Sequence, residues 1–219
     1  MTEIKKANKE IIIEKYMEFV LNHGKEPDSI YKFAKQIDLD ESNIYQYFSS
    51  FEQIEQEIFS VFASNTIQLL EKNEEYANYT EKEKLLSFYF TFFEILTANR
   101  SYVLFAMDGF KMKVRSLKTL SKLKREFISF INTLEIDKID LKQEKLERFQ
   151  NKGYEESFWA QLLITLNFWL NDQSPAFEKT DVFIEKSIHA SFELMNTQPA
   201  KSIIDLGKFI LKEKMDFKL

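Results

Sequence analysis

Two histidines, His23 and His189, are the only imidazoles in this chain of 219 residues. His189 follows Glu185 by four positions, so the two share one face of a helix. A carboxylate and an imidazole at that spacing could supply part of a metal site. A di-iron bundle needs two Glu-x-x-His motifs and further carboxylates, and the sequence has none. His23 precedes Gly24, a common capping place at a helix end. There is no cysteine, which excludes thiolate nucleophiles, disulfides and Cys-based zinc sites. No Gly-rich phosphate loop, Gly-x-Ser-x-Gly elbow or His-Glu-x-x-His motif occurs. Neither catalysis nor a cofactor nor a metal is expected. Two other groups stand out. One is an aromatic load of 22 Phe, 9 Tyr and 2 Trp. The other is a basic run, residues 111–125, with Lys111, Lys113, Arg115, Lys118, Lys122, Lys124 and Arg125 and no acid.

The elements that must position these groups are helices. Only 4 Gly and 3 Pro interrupt the chain, far below ordinary usage. Apolar residues recur at helical spacing: Ile12, Ile13, Tyr16, Phe19 and Val20, then Ile30, Phe33, Ala34 and Ile37, then Ile44 and Phe48. Ile54, Ile58, Val61, Phe62, Ile67 and Leu70 extend the pattern into a longer helix. Further helices are expected near 81–98, 100–113, 115–135, 141–151, 155–172, 178–196 and 200–215. No alternating strand pattern appears, so the fold is read as all-α with ten or eleven helices. The net charge of -5 disfavours a protein that coats nucleic acid wholesale. No apolar run reaches the roughly 18–20 residues of a membrane span, and Met1 to Glu10 has no signal-peptide core.

Residues 27–48 read as two short helices joined by Ile37-Asp38-Leu39-Asp40. Asp28 or Ser29 would cap the first, and Asp40 or Glu41 the second. Such a turn, with one αL-tolerant and one buried apolar residue, suits a DNA-reading helix-turn-helix and also many ordinary helical hairpins. The stretch Ser29-Ile30-Tyr31-Lys32-Phe33-Ala34, Leu39 and Ile44-Tyr45-Gln46-Tyr47-Phe48 through Phe51 to Ile54 resembles the N-terminal domain of the tetracycline-repressor (TetR) family. The family pattern runs Thr-Val-x-x-Ile-Ala, Gly-Val-Ser, Leu-Tyr-x-Tyr-Phe-x-x-Lys-x-x-Leu. The resemblance implies a cytoplasmic homodimer. Residues 1–50 would bind palindromic operator DNA, and residues 51–219 would form a helical domain for dimerisation and a small effector. By position, Ser29 would cap a helix and meet phosphate. Ser42, Asn43 and Gln46 would face base edges, where Asn and Gln can read adenine. Tyr45 and Tyr47 would donate to phosphates, with core packing the competing role for Tyr45 and the favoured one for Phe48. Three positions depart from the pattern. Phe51 replaces a phosphate-binding Lys, Glu41 stands where a basic residue is frequent, and Asp38 replaces the turn glycine. Residues 27–48 hold two lysines against four acids. Because cations supply most non-specific DNA affinity, this head should bind weakly, helped by Lys5, Lys6 and Lys9.

Farther along, Phe88, Phe92, Tyr102, Phe105, Phe127, Phe130 and Trp159 could line an apolar pocket for a hydrophobic or aromatic effector, or simply fill a core. Two stripes, Phe158/Leu162/Thr165/Trp169 and Phe183/Ser187/Ala190/Leu194, are candidates for core or for a dimer interface. The segment Asp172-Gln173-Ser174-Pro175-Ala176-Phe177-Glu178 is similar to a hinge in the TetR-fold lipid-binding accessory proteins of ubiquinone biosynthesis, which have no operator. It also reads as an ordinary helix stop. Membrane or lipid contact, through an amphipathic segment at 200–215 with Ile203, Ile204, Phe209, Ile210 and Leu211 among lysines, is the less favoured alternative. The basic run suits a solvated face, an anionic membrane, phosphates or an acidic partner.

Overall fold

A computed structural model describes residues 8–107, 114–136 and 144–195. Lys5, Lys6, Phe110, Lys111, Lys113 and the segment 200–215 lie outside the described residues, as does the side chain of Arg115. Among the described residues ten α-helices follow in order: α1 (Lys9–His23), α2 (Ile30–Gln36), α3 (Glu41–Tyr45), α4 (Phe51–Glu71), α5 (Glu81–Ala98), α6 (Arg100–Ala106), α7 (Val114–Thr119), α8 (Ser121–Thr133), α9 (Glu144–Asn171) and α10 (Glu178–Met195). Short 3-10 turns occupy Glu74–Asn78 and Pro175–Phe177. No strand occurs among the described residues, and the all-α reading holds. None of these helices is long and apolar enough to cross a membrane.

Two compact units share the chain. The first comprises Met1–Leu69 and Thr91–Phe127. Its helix ends follow local chemistry. Asn8 caps α1 by accepting the Ile11 amide at 2.7 Å, and Gly24 closes it at φ 66, where a Cβ would be strained. The core gathers Ile12, Tyr16, Val20, Phe33, Ile44, Phe48, Ile54, Ile58 and Phe59, all fully or almost fully buried. Salt bridges surround it. The buried Glu57 of α4 pairs with both Lys9 of α1 and Lys122 of α8. Lys118 meets Glu52 at 2.7 Å, and Ser60 donates to Glu126 at 3.2 Å. Part of the basic run is therefore spent on the acidic side of α4. Lys118 and Lys122 hold helices together, a role that charge counting along the sequence did not show.

The second unit comprises Leu70–Phe90 and Ile128–Leu219. Phe88 stacks on Phe130 at 4.6 Å. Phe158, Leu162, Leu166, Trp169, Ile184 and Ile188 are buried with them. The first candidate stripe, Phe158, Leu162, Thr165 and Trp169, is thus core. Two boundaries differ from expectation. The helix expected over 115–135 breaks at the buried Leu120 into α7 and α8. Leu117, Leu120 and Leu123 keep their period through the break, so periodicity could not reveal it. The helices expected at 141–151 and 155–172 form one helix, α9, which runs through Gly153. One interior glycine costs about 1 kcal/mol relative to alanine, too little to end so long an element.

Candidate nucleic-acid interface

The segment between α2 and α3 is built by its own sequence. Ser29 caps α2, its Oγ accepting the Lys32 amide at 3.2 Å. Asp38 adopts φ 55, the left-handed conformation that short polar residues tolerate. The Leu39 amide then closes on the Ala34 carbonyl at 2.9 Å, the bond of a Schellman end. Asp38 thus takes the left-handed position of this turn, where glycine is otherwise favoured. At the start of α3, Asn43 Oδ1 accepts the Asp40 amide at 3.2 Å. Ile44 and Phe48 are buried, and their side chains seat α3 on the core.

The predicted site residues fall into two sets. Ser42, Tyr45, Gln46 and Tyr47 are exposed around α3 and the turn after it; Tyr45 is 51% and Tyr47 42% exposed. That exposure removes the core-packing reading of Tyr45. The second set is occupied by local structure. Asn43 uses its carbonyl oxygen in the cap, so reading adenine with both ends of its amide would require giving up that bond. Ser29 likewise uses its hydroxyl as the α2 cap.

Negative charge predominates at the start of α3, where Asp40 and Glu41 stand. The Glu41 carboxylate, one turn before Tyr45, pushes the Tyr45 phenol up. Lys32 pairs with Asp28 at 2.8 Å and Lys25 with the same carboxylate at 3.1 Å. Their hydrogen bonds, with their charge, lower the Asp28 carboxyl to about 2. Lys35 sits 5.9 Å over the exposed Tyr31 ring, a cation–π contact. Phe51, half-buried at the start of α4, turns its ring toward other aromatics. Its ring stacks on Tyr16 at 5.6 Å and meets Phe33 edge-on at 5.8 Å.

The aromatic candidates for an effector site are also distributed. In the first unit, Phe92, Tyr102 and Phe127 are buried and Phe105 is partly exposed. In the second, Phe88, Phe130 and Trp159 are buried. The Tyr102 hydroxyl is buried without a hydrogen-bond partner among the described residues. Burial, with the nearby Glu55 carboxylate, keeps this phenol protonated well above the ordinary range. Glu55 itself, 5% exposed, accepts from Tyr16 at 3.1 Å. The sequence reading did not pick out Glu55, because a lone acid within an apolar helix pattern gives no signal of its partner 39 residues away.

On the outer side of α9 and α10, Phe168 stacks on Phe183 at 4.6 Å. Beside them an open groove of about 640 Å³ is lined by Glu178, Lys179, Val182, Lys186 and Ser187. At the join between these helices, Asp172 is 7% exposed. It accepts the Ser174 amide and hydroxyl at 2.8 and 2.7 Å, and the Thr180 amide and hydroxyl at 2.9 and 2.7 Å. Desolvation opposes its charge, but those four donors outweigh it and hold the carboxyl far below the ordinary value. The Asp-x-Ser-Pro segment is a helix stop and restart. His189, at the far end of α10, pairs with Glu193 at 2.9 Å and contacts Lys82.

Residues 84–210 match the family described as tetracyclin repressor-like, C-terminal domain. The match spans more than half of the chain, and the chain belongs to the tetracycline-repressor-like family. No curated protein matches it.

Proposed function

We propose that this protein is a one-component, ligand-responsive transcriptional regulator that binds palindromic operator DNA as a homodimer in the cytoplasm. The observation that carries this reading is the capped α2–turn–α3 segment. It presents the exposed face of Ser42, Tyr45, Gln46 and Tyr47 in a chain whose C-terminal part belongs to the repressor-like family. In this reading α3 enters the major groove. Gln46 and Ser42 meet base edges, the tyrosine hydroxyls position the backbone, and Asn43 shapes the start of α3 and adds a base contact through its amide nitrogen.

Two copies pair through α9 and α10. Ile164, Val182 and Leu194 are 58%, 48% and 61% exposed there, an arrangement that a second copy would cover. The effector is a small hydrophobic or aromatic molecule. The unpartnered Tyr102 hydroxyl is the polar anchor such a ligand would satisfy, since a buried orphan donor is costly. Phe92, Phe105 and Phe127, in the same unit as Tyr102, are the proposed apolar lining.

The test is a titration against a fluorescent duplex from the protein's own upstream region and a scrambled duplex, at two salt concentrations, followed by selection from random duplexes. Sequence-specific, salt-weakened binding supports the reading; no selected sequence overturns it. One observation favours a second reading, a TetR-fold protein that binds lipid or another hydrophobic ligand without DNA. Half-buried Phe51, packed on Tyr16 and Phe33, stands where the family resemblance places a cation on phosphate. That reading expects lipid extraction or liposome binding in place of operator selection.

A further inference from the structure

Residues 1–50 contain lysines and no arginine. Most of the lysines described there are spent inside the protein. Lys9 pairs with Glu57, Lys15 with Glu18, and Lys25 and Lys32 share Asp28. Lys35 alone meets no carboxylate among the described residues. Its ammonium sits 5.9 Å over the ring of Tyr31, the most exposed tyrosine among the described residues. The two are four positions apart in α2, so they share one face of it. Ile30, Phe33 and Ala34 occupy the buried face. A ring beneath an ammonium holds the charge in place by attraction to its π face. It brings no counter-charge, and the ammonium keeps N–H donors for another acceptor.

Resting on the operator-binding reading, we infer that Lys35, steadied by Tyr31, is a phosphate-binding site on α2. In a helix-turn-helix the second helix enters the groove while the first crosses the sugar–phosphate backbone, and α2 is that first helix. Lys32, on the same helix, is already neutralised by Asp28. Phe51 brings no charge to the start of α4. Lys35 is thus the cation that this segment can bring to DNA without breaking an ion pair. Tyr31 is a positioning residue: it places the ammonium and leaves its charge intact. The site senses charge and not sequence. It strengthens operator and random duplex alike, and discrimination stays with the base contacts of Ser42 and Gln46.

The experiment uses the full-length protein and five forms of it: the parent, Lys35→Gln, Lys32→Gln, Tyr31→Leu and the Tyr31→Leu/Lys35→Gln double variant. Each is titrated with the selected and the scrambled duplex over a range of salt. Lys35→Gln should flatten the slope of log affinity against log salt by about 0.9 and weaken both duplexes about eightfold near 0.1 M salt. The ratio between the duplexes should stay within about twofold, as for any contact to the backbone alone. Lys32→Gln removes the same charge but from an existing ion pair, and should change the slope by less than about half as much. Tyr31→Leu should weaken binding about two- to fivefold at unchanged slope, and should have no further effect once Lys35 is gone. Equal losses from the two lysine variants overturn the site, since net charge alone would be acting. A Tyr31→Leu loss that persists undiminished in the Lys35→Gln background overturns the positioning role. If the parent selects an operator and Lys35→Gln leaves the slope unchanged, this inference fails alone. If the parent selects no duplex, the operator reading fails and this site with it.

Discussion

Glu57 and Asp172 are equally hidden carboxylates, 8% and 7% exposed, and they are held in opposite ways. Glu57 is held by charge. Lys9 and Lys122 converge on it from two other helices. Desolvation raises its pKa, and the two ammonium groups overcome that and lower it. Asp172 is held by geometry. Its four donors are two amides and two hydroxyls, none of them charged. They lie within eight residues of it in the chain. The difference separates two means of keeping a buried acid ionised. Flexible lysines join distant segments but depend on salt. Neutral donors fixed by a turn depend on the turn alone, and they specify where α9 stops and α10 starts.

The largest effect that would break this contrast is at Asp172. Replacement by alanine strands two amides and two hydroxyls and should cost about 2–4 kcal/mol in urea unfolding. Asp172→Asn keeps one acceptor oxygen and should lose about half as much. Glu57→Gln should cost about 1 kcal/mol, because its lysines can turn to water. That loss should shrink in 1 M salt, whereas the Asp172 loss should not. Equal salt dependence at both sites would refute the distinction.

The pH dependence sharpens the same contrast. Both carboxyls have folded values below their ordinary ones, 4.5 for Glu57 and 3.8 for Asp172. Their stabilisation is thus present above those values and is lost as pH falls through the folded ones. Added salt should move the acid limb governed by Glu57 upward and leave that of Asp172 in place. The smallest change is expected at Ala176, which sits at φ 51 in the Asp172 loop. Ala176→Gly relieves the left-handed backbone but loosens the unfolded chain, so the net shift should stay within about 0.5 kcal/mol.

Local chemistry was the legible part of this molecule. Gly24, the pair Asp28 or Ser29 and the pair Asp40 or Glu41 marked helix ends, because such side chains, or the lack of one, act within a turn of themselves. The seating of α3 followed from the spacing of Ile44 and Phe48. Contacts across the sequence were not legible. Glu57 and Lys122 lie 65 residues apart, and nothing in either neighbourhood names the other. The basic run therefore read as an open charged face, although Lys118 and Lys122 are committed to α4. Around α3, sequence marked Asn43 as a base reader, but only coordinates show its amide oxygen engaged at Asp40. The aromatic candidates were visible as a group. Which unit each enters depends on how α5 and α8 divide between the two cores.

The position of Phe51 has a consequence for dissection. This first residue of α4 lies against Tyr16 and Phe33, and Tyr16 reaches on to Glu55. An excised fragment ending at residue 50 would lose one ring from its aromatic cluster and the acceptor of its buried phenol. A fragment that carries α4 through Phe62 would keep both. Sequence pattern places a boundary at residue 50, but the packing around Tyr16 runs past it into α4.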